Sequence, residues 1–158
     1  MDFFDDENDE LLDFLNIQST INISAAELKK NIINFYRVCT LCNSAITEID
    51  ESGKETFASS SPEEIAFLNS SSKVGFAFKS RSSNCIEIFN HFKKQVETWE
   101  ILLEIPFDSD RKRMTVVVKE KDDKDNLVHV LIKGADEVLI PLVIMNELTK
   151  KSMESKLN

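Results

Sequence analysis

Arg113-Met-Thr-Val-Val-Val-Lys119 and Leu127-Val-His-Val-Leu-Ile-Lys133 stand on either side of a polar stretch running from Glu120 to Asn126. Both runs are rich in β-branched residues, which pack well on a pleated surface and lose side-chain freedom in a helix. Two such runs around a charged stretch read as a β-hairpin with a long loop. Upstream, Glu100-Ile-Leu-Leu-Glu-Ile-Pro-Phe107 is another extended segment, and Cys85-Ile-Glu-Ile-Phe89 and Phe76-Ala-Phe78 alternate as strands do. Adjacent strands with helices toward both ends of the chain give an α+β fold built on an antiparallel sheet.

The helices have their own signals. Ser24-Ala-Ala-Glu27 is a capping box, a hydroxyl three residues before a carboxylate. Apolar positions then recur at Leu28, Ile32, Phe35, Val38, Cys39 and Cys42, and that spacing predicts one buried helix face. Ser61-Pro62-Glu63-Glu64 starts a second helix, with Ser at N-cap, Pro at N1 and Glu at N3. It should run to about Ser72, and Gly75 is the expected break. Between the two, Asp50-Glu-Ser-Gly53-Lys reads as a turn joining short strands near 45–49 and 55–58. Asp136 is placed to cap a last helix from Glu137 to about Met145, which Pro141 interrupts. Residues 1–20 form an acidic leader, 21–147 a single domain and 148–158 a polar tail.

Composition narrows the function. Lys and Arg number 19 against 28 Asp and Glu, a formal charge of −9, which argues against non-specific binding to nucleic acid or an anionic membrane. A local basic cluster can still hold a small anion. No run of about 18 apolar residues is present to span a bilayer. Three cysteines, an odd number, without a secretory signal fit a reducing compartment and free thiols. Cys39 and Cys42 lack the second pair of ligands a zinc site needs, and they fall on the apolar face of a helix as core thiols. His91 and His129 are read as structural or surface residues, His129 on the polar side of its strand. No hydrolytic triad, paired catalytic carboxylates or metal cluster is readable.

Three segments carry chemistry. In Pro106-Phe-Asp-Ser-Asp-Arg-Lys-Arg-Met114 an aromatic precedes three consecutive cations. An adenine nucleotide needs a flat apolar surface for its base and positive charge for its phosphates; Phe107 offers the first, and Arg111, Lys112 or Arg113 the second. Taken alone, the segment reads more readily as a core Phe beside a solvated turn. In Ile132-Lys-Gly-Ala-Asp136 a lysine ends a strand and a glycine permits close approach before a helix. It matches neither the Gly-x-x-x-x-Gly-Lys-Ser/Thr nor the Gly-x-Gly-x-x-Gly phosphate loop. Glu64 has two readings, a partner for an exocyclic adenine amine or the N3 residue of a capping box, and spacing alone favours the cap.

Order and spacing together say more. Ser60-Ser-Pro-Glu-Glu64, Gly75-Phe-Ala-Phe-Lys-Ser-Arg81, Phe107-Asp-Ser-Asp-Arg-Lys-Arg-Met114 and Lys133-Gly-Ala-Asp136 resemble the nucleotide-binding domain of P-type ATPases over about residues 30 to 145. Asp136 stands where cation pumps typically carry proline. With the Asp-Arg-Lys-Arg-Met and Ser-Pro-acid-Glu runs, it makes the resemblance one to the type IV branch, the phospholipid-transporting flippases. The resemblance implies a twisted antiparallel sheet flanked by helix pairs that binds ATP. In it Phe107 stacks on adenine, Lys133 lines the adenine pocket, Glu64 sits at the base-binding end, and Lys112 lies near the phosphates with Ser109 on the same loop. In a whole pump such a domain, with Mg2+ accompanying the nucleotide, delivers the γ-phosphate to an aspartate of a separate phosphorylation domain, and lipid then moves to the cytosolic leaflet. The implied setting is a cytosolic domain of an integral membrane protein, in the plasma membrane or an endomembrane. Its implied partners are the parent's phosphorylation and membrane domains and an accessory membrane subunit, with no nucleic acid, and the isolated domain a monomer.

Departures from the family pattern qualify this. The Asp-Lys-Thr-Gly-Thr phosphorylation sequence, the membrane helices, the dephosphorylation domain, the magnesium-binding loop and a phosphate-contacting arginine after Lys-Gly-Ala-Asp are absent, and Pro106 replaces a usual acidic residue. The expectation is an excised or truncated domain that binds ATP without hydrolysing it, and with no catalytic or metal-ligating residue of its own. One base stack of ~1 kcal/mol and two or three hydrogen bonds of ~1 kcal/mol each imply a dissociation constant on the order of millimolar. Three alternatives stand beside this reading: the same module from a cation or polyamine pump, disfavoured by Asp136; a protein-interaction domain using the acidic leader and the charged hairpin loop; and a self-sufficient ATPase, for which the sequence offers no nucleophile or metal site.

Overall fold

A computed structural model of the chain describes residues 24–49, 51, 53 and 55–143. The acidic leader and the polar tail lie outside the described residues, as does most of the turn at 50–54.

Helix α1 (Ala25–Leu41) begins where the capping box places it, with Ser24 Oγ accepting from the Glu27 N–H at 3.2 Å. A short antiparallel hairpin follows, β1 (Ile46–Ile49) and β2 (Glu55–Ala58), in register from Ile46↔Ala58 to Ile49↔Glu55. Helix α2 (Pro62–Val74) ends on Gly75, whose φ of 110° is the left-handed conformation that glycine adopts without a Cβ penalty. The chain then makes five antiparallel strands: β3 (Phe76–Arg81), β4 (Cys85–Asn90), β5 (Gln95–Asp108), β6 (Arg113–Glu120) and β7 (Val128–Gly134). They lie in sequence order across the sheet, so every connection is a local turn. The α+β architecture read from the sequence is the one observed.

One face of the sheet carries the core. Phe76, Phe78, Ile86, Ile88, Trp99, Met114, Val116 and Val118 point inward and are buried, with Leu41 and Cys42 from the end of α1 and Leu68 from α2 packed on them. Each such side chain contributes roughly 1.5–3 kcal/mol by leaving water. A hydrogen bond from Ser71 Oγ to the Tyr36 carbonyl, 3.3 Å, ties α2 to α1. Among the described residues no helix is long and apolar enough to cross a membrane.

A polar group sits within this core. Glu97 is buried, and its carboxylate accepts from Asn90 Nδ2 at 2.7 Å, Trp99 Nε1 at 3.3 Å and Lys93 Nζ at 2.8 Å. Replacing Glu97 by Leu removes the acceptor for two buried donors, a loss of about 2 kcal/mol. Urea denaturation should show a lower midpoint for Glu97→Leu, with Glu97→Gln retaining most of the wild-type value.

Four local expectations are corrected. Phe35 lies on the same α1 stripe as Leu28 and Cys39 yet is 54% exposed, because the stripe faces an open cleft there instead of the core. His129 does not face a polar side: it points inward and meets Trp99 edge-on at 5.4 Å, while Val128, Val130 and Ile132 face outward and are exposed. Asp136 is not the N-cap of the last helix, α3 (Asp136–Leu139). Ala135 holds that position, and the Asp136 carboxylate accepts from the next N–H, of Glu137, at 2.8 Å. The helix gives way to a 3-10 turn at Ile140–Leu142, where Pro141 has no N–H to continue the ladder; the rest of the expected helix, 144 and 145, lies outside the described residues. The fourth correction concerns Glu64.

Candidate functional site

At one end of the sheet α1, the start of α2, the β5–β6 turn and the end of β7 enclose a cleft of about 1520 Å³. Four of the five residues singled out for binding line it: Glu64, Phe107, Lys112 and Lys133. They come from three separate segments of the chain, the start of α2, the β5–β6 turn and the end of β7, which the fold brings together.

Lys133 reaches the cleft because of the register of β7. With His129 and Leu131 turned inward, Lys133 is inward too, paired across the ladder with Met114. Its ammonium donates to Glu64 Oε1 at 2.7 Å. Glu64 is therefore not a capping residue. The Ser61 side chain makes no cap bond, the Ser61 N–H is taken by Ser59 Oγ at 3.1 Å, and the Glu64 side chain turns into the domain. There its carboxylate also accepts from Ser59 Oγ at 2.6 Å, Ser44 Oγ at 2.9 Å and the Ser44 N–H at 3.1 Å. Burial alone would raise the Glu64 pKa, but the hydrogen bond from Lys133, with those from Ser59 and Ser44, holds it below the ordinary glutamate value. The cleft thus presents a fixed carboxylate beside a fixed ammonium, an acceptor and a donor side by side.

Ser44 and Ser59 escaped sequence reasoning. Ser44 owes its place to Asn43, which is buried, donates to the Thr40 carbonyl at 2.7 Å and accepts from the Ala45 N–H at 2.9 Å, pinning the turn after α1. A serine beside an asparagine between two elements carries no signal that it will meet a carboxylate twenty residues away.

The aromatic and cationic segment divides its labour. Phe107 is 62% exposed on the cleft wall and is no part of the core. Pro106 has no N–H for the ladder, and the β5–β6 register shifts between Ile105 and Asp108, which lets Phe107 stand free. Of the three consecutive cations, Arg111 is spent on the loop itself, donating to the carbonyls of Pro106 and Arg113, each at 3.0 Å. Asp108 Oδ1 accepts from the N–H groups of Asp110 and Arg111 at 2.9 Å, closing the turn. Lys112, in the left-handed region with φ 50°, is the cation that lines the cleft, and it pairs with Glu137 of α3. Ser109 is the one predicted residue not brought to the cleft: it sits at the exposed tip of the turn that Asp108 closes.

Gly134 makes this junction possible. A Cβ there would lie 2.5 Å from the Lys112 carbonyl oxygen and 2.6 Å from Arg113 Cβ. The same carbonyl accepts from the Ala135 N–H at 3.0 Å. The thiols expected in the core are there, free and buried at Cys39 and Cys42. Burial pushes Cys42 up to about 11, against the opposing charge of Lys133, so it stays protonated at neutral pH. Among the described residues no group of three or more His, Cys, Asp or Glu could hold a metal ion.

The chain matches a known family along most of its length. A family model described as P-type ATPase, cytoplasmic domain N, matches residues 31–156. The chain belongs to the P-type ATPase family, as its cytoplasmic N domain. Similar curated proteins carry phospholipid-transporting names, in agreement with the branch indicated by Asp136. Probable phospholipid-transporting ATPase 4 of Arabidopsis thaliana is 34% identical over 121 residues, 73% of this chain and 10% of that protein. Phospholipid-transporting ATPase 2 of the same plant is 30% identical over 148 residues, 94% of this chain and 13% of that protein. Human phospholipid-transporting ATPase IG is 33% identical over 129 residues, 76% of this chain and 11% of that protein. The N domain described here spans about a tenth of the length of the relatives it matches.

Proposed function

We propose that this N domain binds ATP in the cleft between α1, α2 and the β5–β6 turn, and that in its parent protein it presents the γ-phosphate to an aspartate of a separate phosphorylation domain. The observation that supports it most is the convergence of an exposed aromatic, Phe107, with the Glu64–Lys133 pair and Lys112 on one cleft. In this reading adenine lies on the face of Phe107. Its exocyclic amine donates to Glu64, a ring nitrogen accepts from Lys133, and the phosphates extend toward Lys112. Magnesium travels with the nucleotide; the described residues do not fit a metal site of their own. By extension from its relatives, the parent is a phospholipid-translocating ATPase of a cellular membrane whose N domain works against its own phosphorylation and membrane domains and an accessory membrane subunit. Residues 21–147 would be the binding unit, monomeric in isolation and lacking the phosphorylated aspartate.

An NMR titration of the isotope-labelled chain tests this. Saturable shifts at Phe107, Lys133 and Glu64, stronger for ATP than for GTP, are expected in the millimolar range. No shifts at several millimolar would sink the proposal. Phe107→Ala should weaken ATP by about fivefold, the loss of one ring stack of ~1 kcal/mol, and leave the urea midpoint unchanged because the ring is exposed. An equal loss for a ligand lacking a base, such as tripolyphosphate, would exclude stacking.

A further inference from the structure

The Lys112 ammonium is already matched by a carboxylate. Glu137, in the first turn of α3, closes on it across the gap between the β5–β6 turn and the end of β7. The pair joins two segments that the Ala135 N–H to Lys112 carbonyl bond, 3.0 Å, already holds together. It is therefore not needed to build the junction. Both side chains are largely exposed, 51% for Lys112 and 61% for Glu137. Solvated ion pairs of this kind are weak and exchange partners readily. Lys112 is among the residues lining the cleft and Glu137 is not. In the sequence Glu137 carries no signal of its own, following Lys133-Gly-Ala-Asp136 as one more helical acid.

The geometry points to Glu137 as a built-in competitor for the anionic part of the ligand, a carboxylate that holds Lys112 in the empty domain and must give it up when a polyphosphate arrives. This rests on the nucleotide reading above and adds a residue that sets how strongly the site prefers triphosphate over nucleoside. Phosphate carries more charge than one carboxylate and accepts through several oxygens, so the exchange runs toward the ligand. The competition lowers affinity for ATP without touching the base. It also leaves Lys112 neutralised between binding events, in a chain whose net charge of −9 is otherwise acidic.

The test is a double-mutant cycle on the full 158-residue chain, with ATP and adenosine titrated by NMR. Glu137→Gln should tighten ATP by about threefold, the scale of one exposed ion pair, and leave adenosine unchanged. In a Lys112→Met background the same substitution should have no effect on ATP. If wild type binds ATP and Glu137→Gln does not tighten it, the competitor role is wrong and the nucleotide site stands. If Glu137→Gln tightens ATP equally with and without Lys112, the effect is general charge reduction and the role is again wrong. If wild type takes up neither ATP nor adenosine, the nucleotide reading fails and the competitor role with it.

Discussion

Gly134→Ala is expected to cost this domain about 3 kcal/mol of stability or more and to abolish the ATP binding proposed for its cleft. The added methyl has nowhere to go: the Lys112 carbonyl oxygen stands at 2.5 Å, Arg113 Cβ at 2.6 Å and Arg113 Cα at 2.8 Å. Overpacking against movable side chains typically costs 1–3 kcal/mol, and two of these three obstacles are backbone atoms, of Lys112 in the β5–β6 turn and Arg113 at the start of β6, so about 3 kcal/mol is the starting figure. Relief requires β7 to draw away from β6 at the Arg113↔Gly134 pair, which ends the ladder between them. That movement carries Lys133 away from Glu64 and breaks the Ala135 N–H to Lys112 carbonyl bond, so the two halves of the cleft separate. Urea denaturation measures the first effect and titration at a temperature where the variant remains folded measures the second. A variant with wild-type stability and affinity would show that the junction is pliable and that the glycine has another purpose.

How much of this was legible in the sequence depends on whether local chemistry or register decides the matter. Ser24 with Glu27, Pro62 at N1 and Gly75 at a helix end act over three or four residues, and each element begins or ends where they place it. The strand meander was legible for the same reason, since β-branched runs separated by polar turns need no knowledge of distant residues. The inward face of β7 was not. Both of its faces carry apolar residues, with Val128, Val130 and Ile132 outside and Leu131 inside, so alternation gives no preference. The outcome is fixed by pairing to β6, where Met114, Val116 and Val118 are buried, and only pairing reveals that His129 and Lys133 face in. Glu64 resists local reading for a related reason. A capping box is a pattern of near neighbours, whereas the ammonium that draws this side chain inward lies 69 residues ahead.

That long-range pair supports the other large effect. Lys133→Ala should destabilise the domain by about 3 kcal/mol and, on the nucleotide reading proposed above, weaken ATP as well. Glu64 is 5% exposed, and without the ammonium it retains only the Ser44 and Ser59 donors. Breaking a buried pair from one side typically costs 3–5 kcal/mol, and the remaining hydrogen bonds and the partial exposure of Lys133 put this case at the low end. Acid titration isolates the contribution of the pair. The Glu64 pKa is lower in the folded domain than its usual 4.5, so the unfolded chain takes up the proton more readily. Its contribution is fully present above the unfolded value and is lost as pH falls through the lower folded one. Wild type should therefore lose stability below about pH 4.5 more steeply than Glu64→Gln, which has no such proton to bind. Asp108 and Asp123, also held low by backbone hydrogen bonds, titrate in both proteins and cancel in the comparison. In Lys133→Ala the burial of Glu64 is no longer opposed by a charge, so its pKa rises, and the steep acid limb should flatten or reverse sign. If Lys133→Ala and wild type keep parallel pH profiles, the two side chains are neighbours without coupling, and the stability lost in Lys133→Ala has another source.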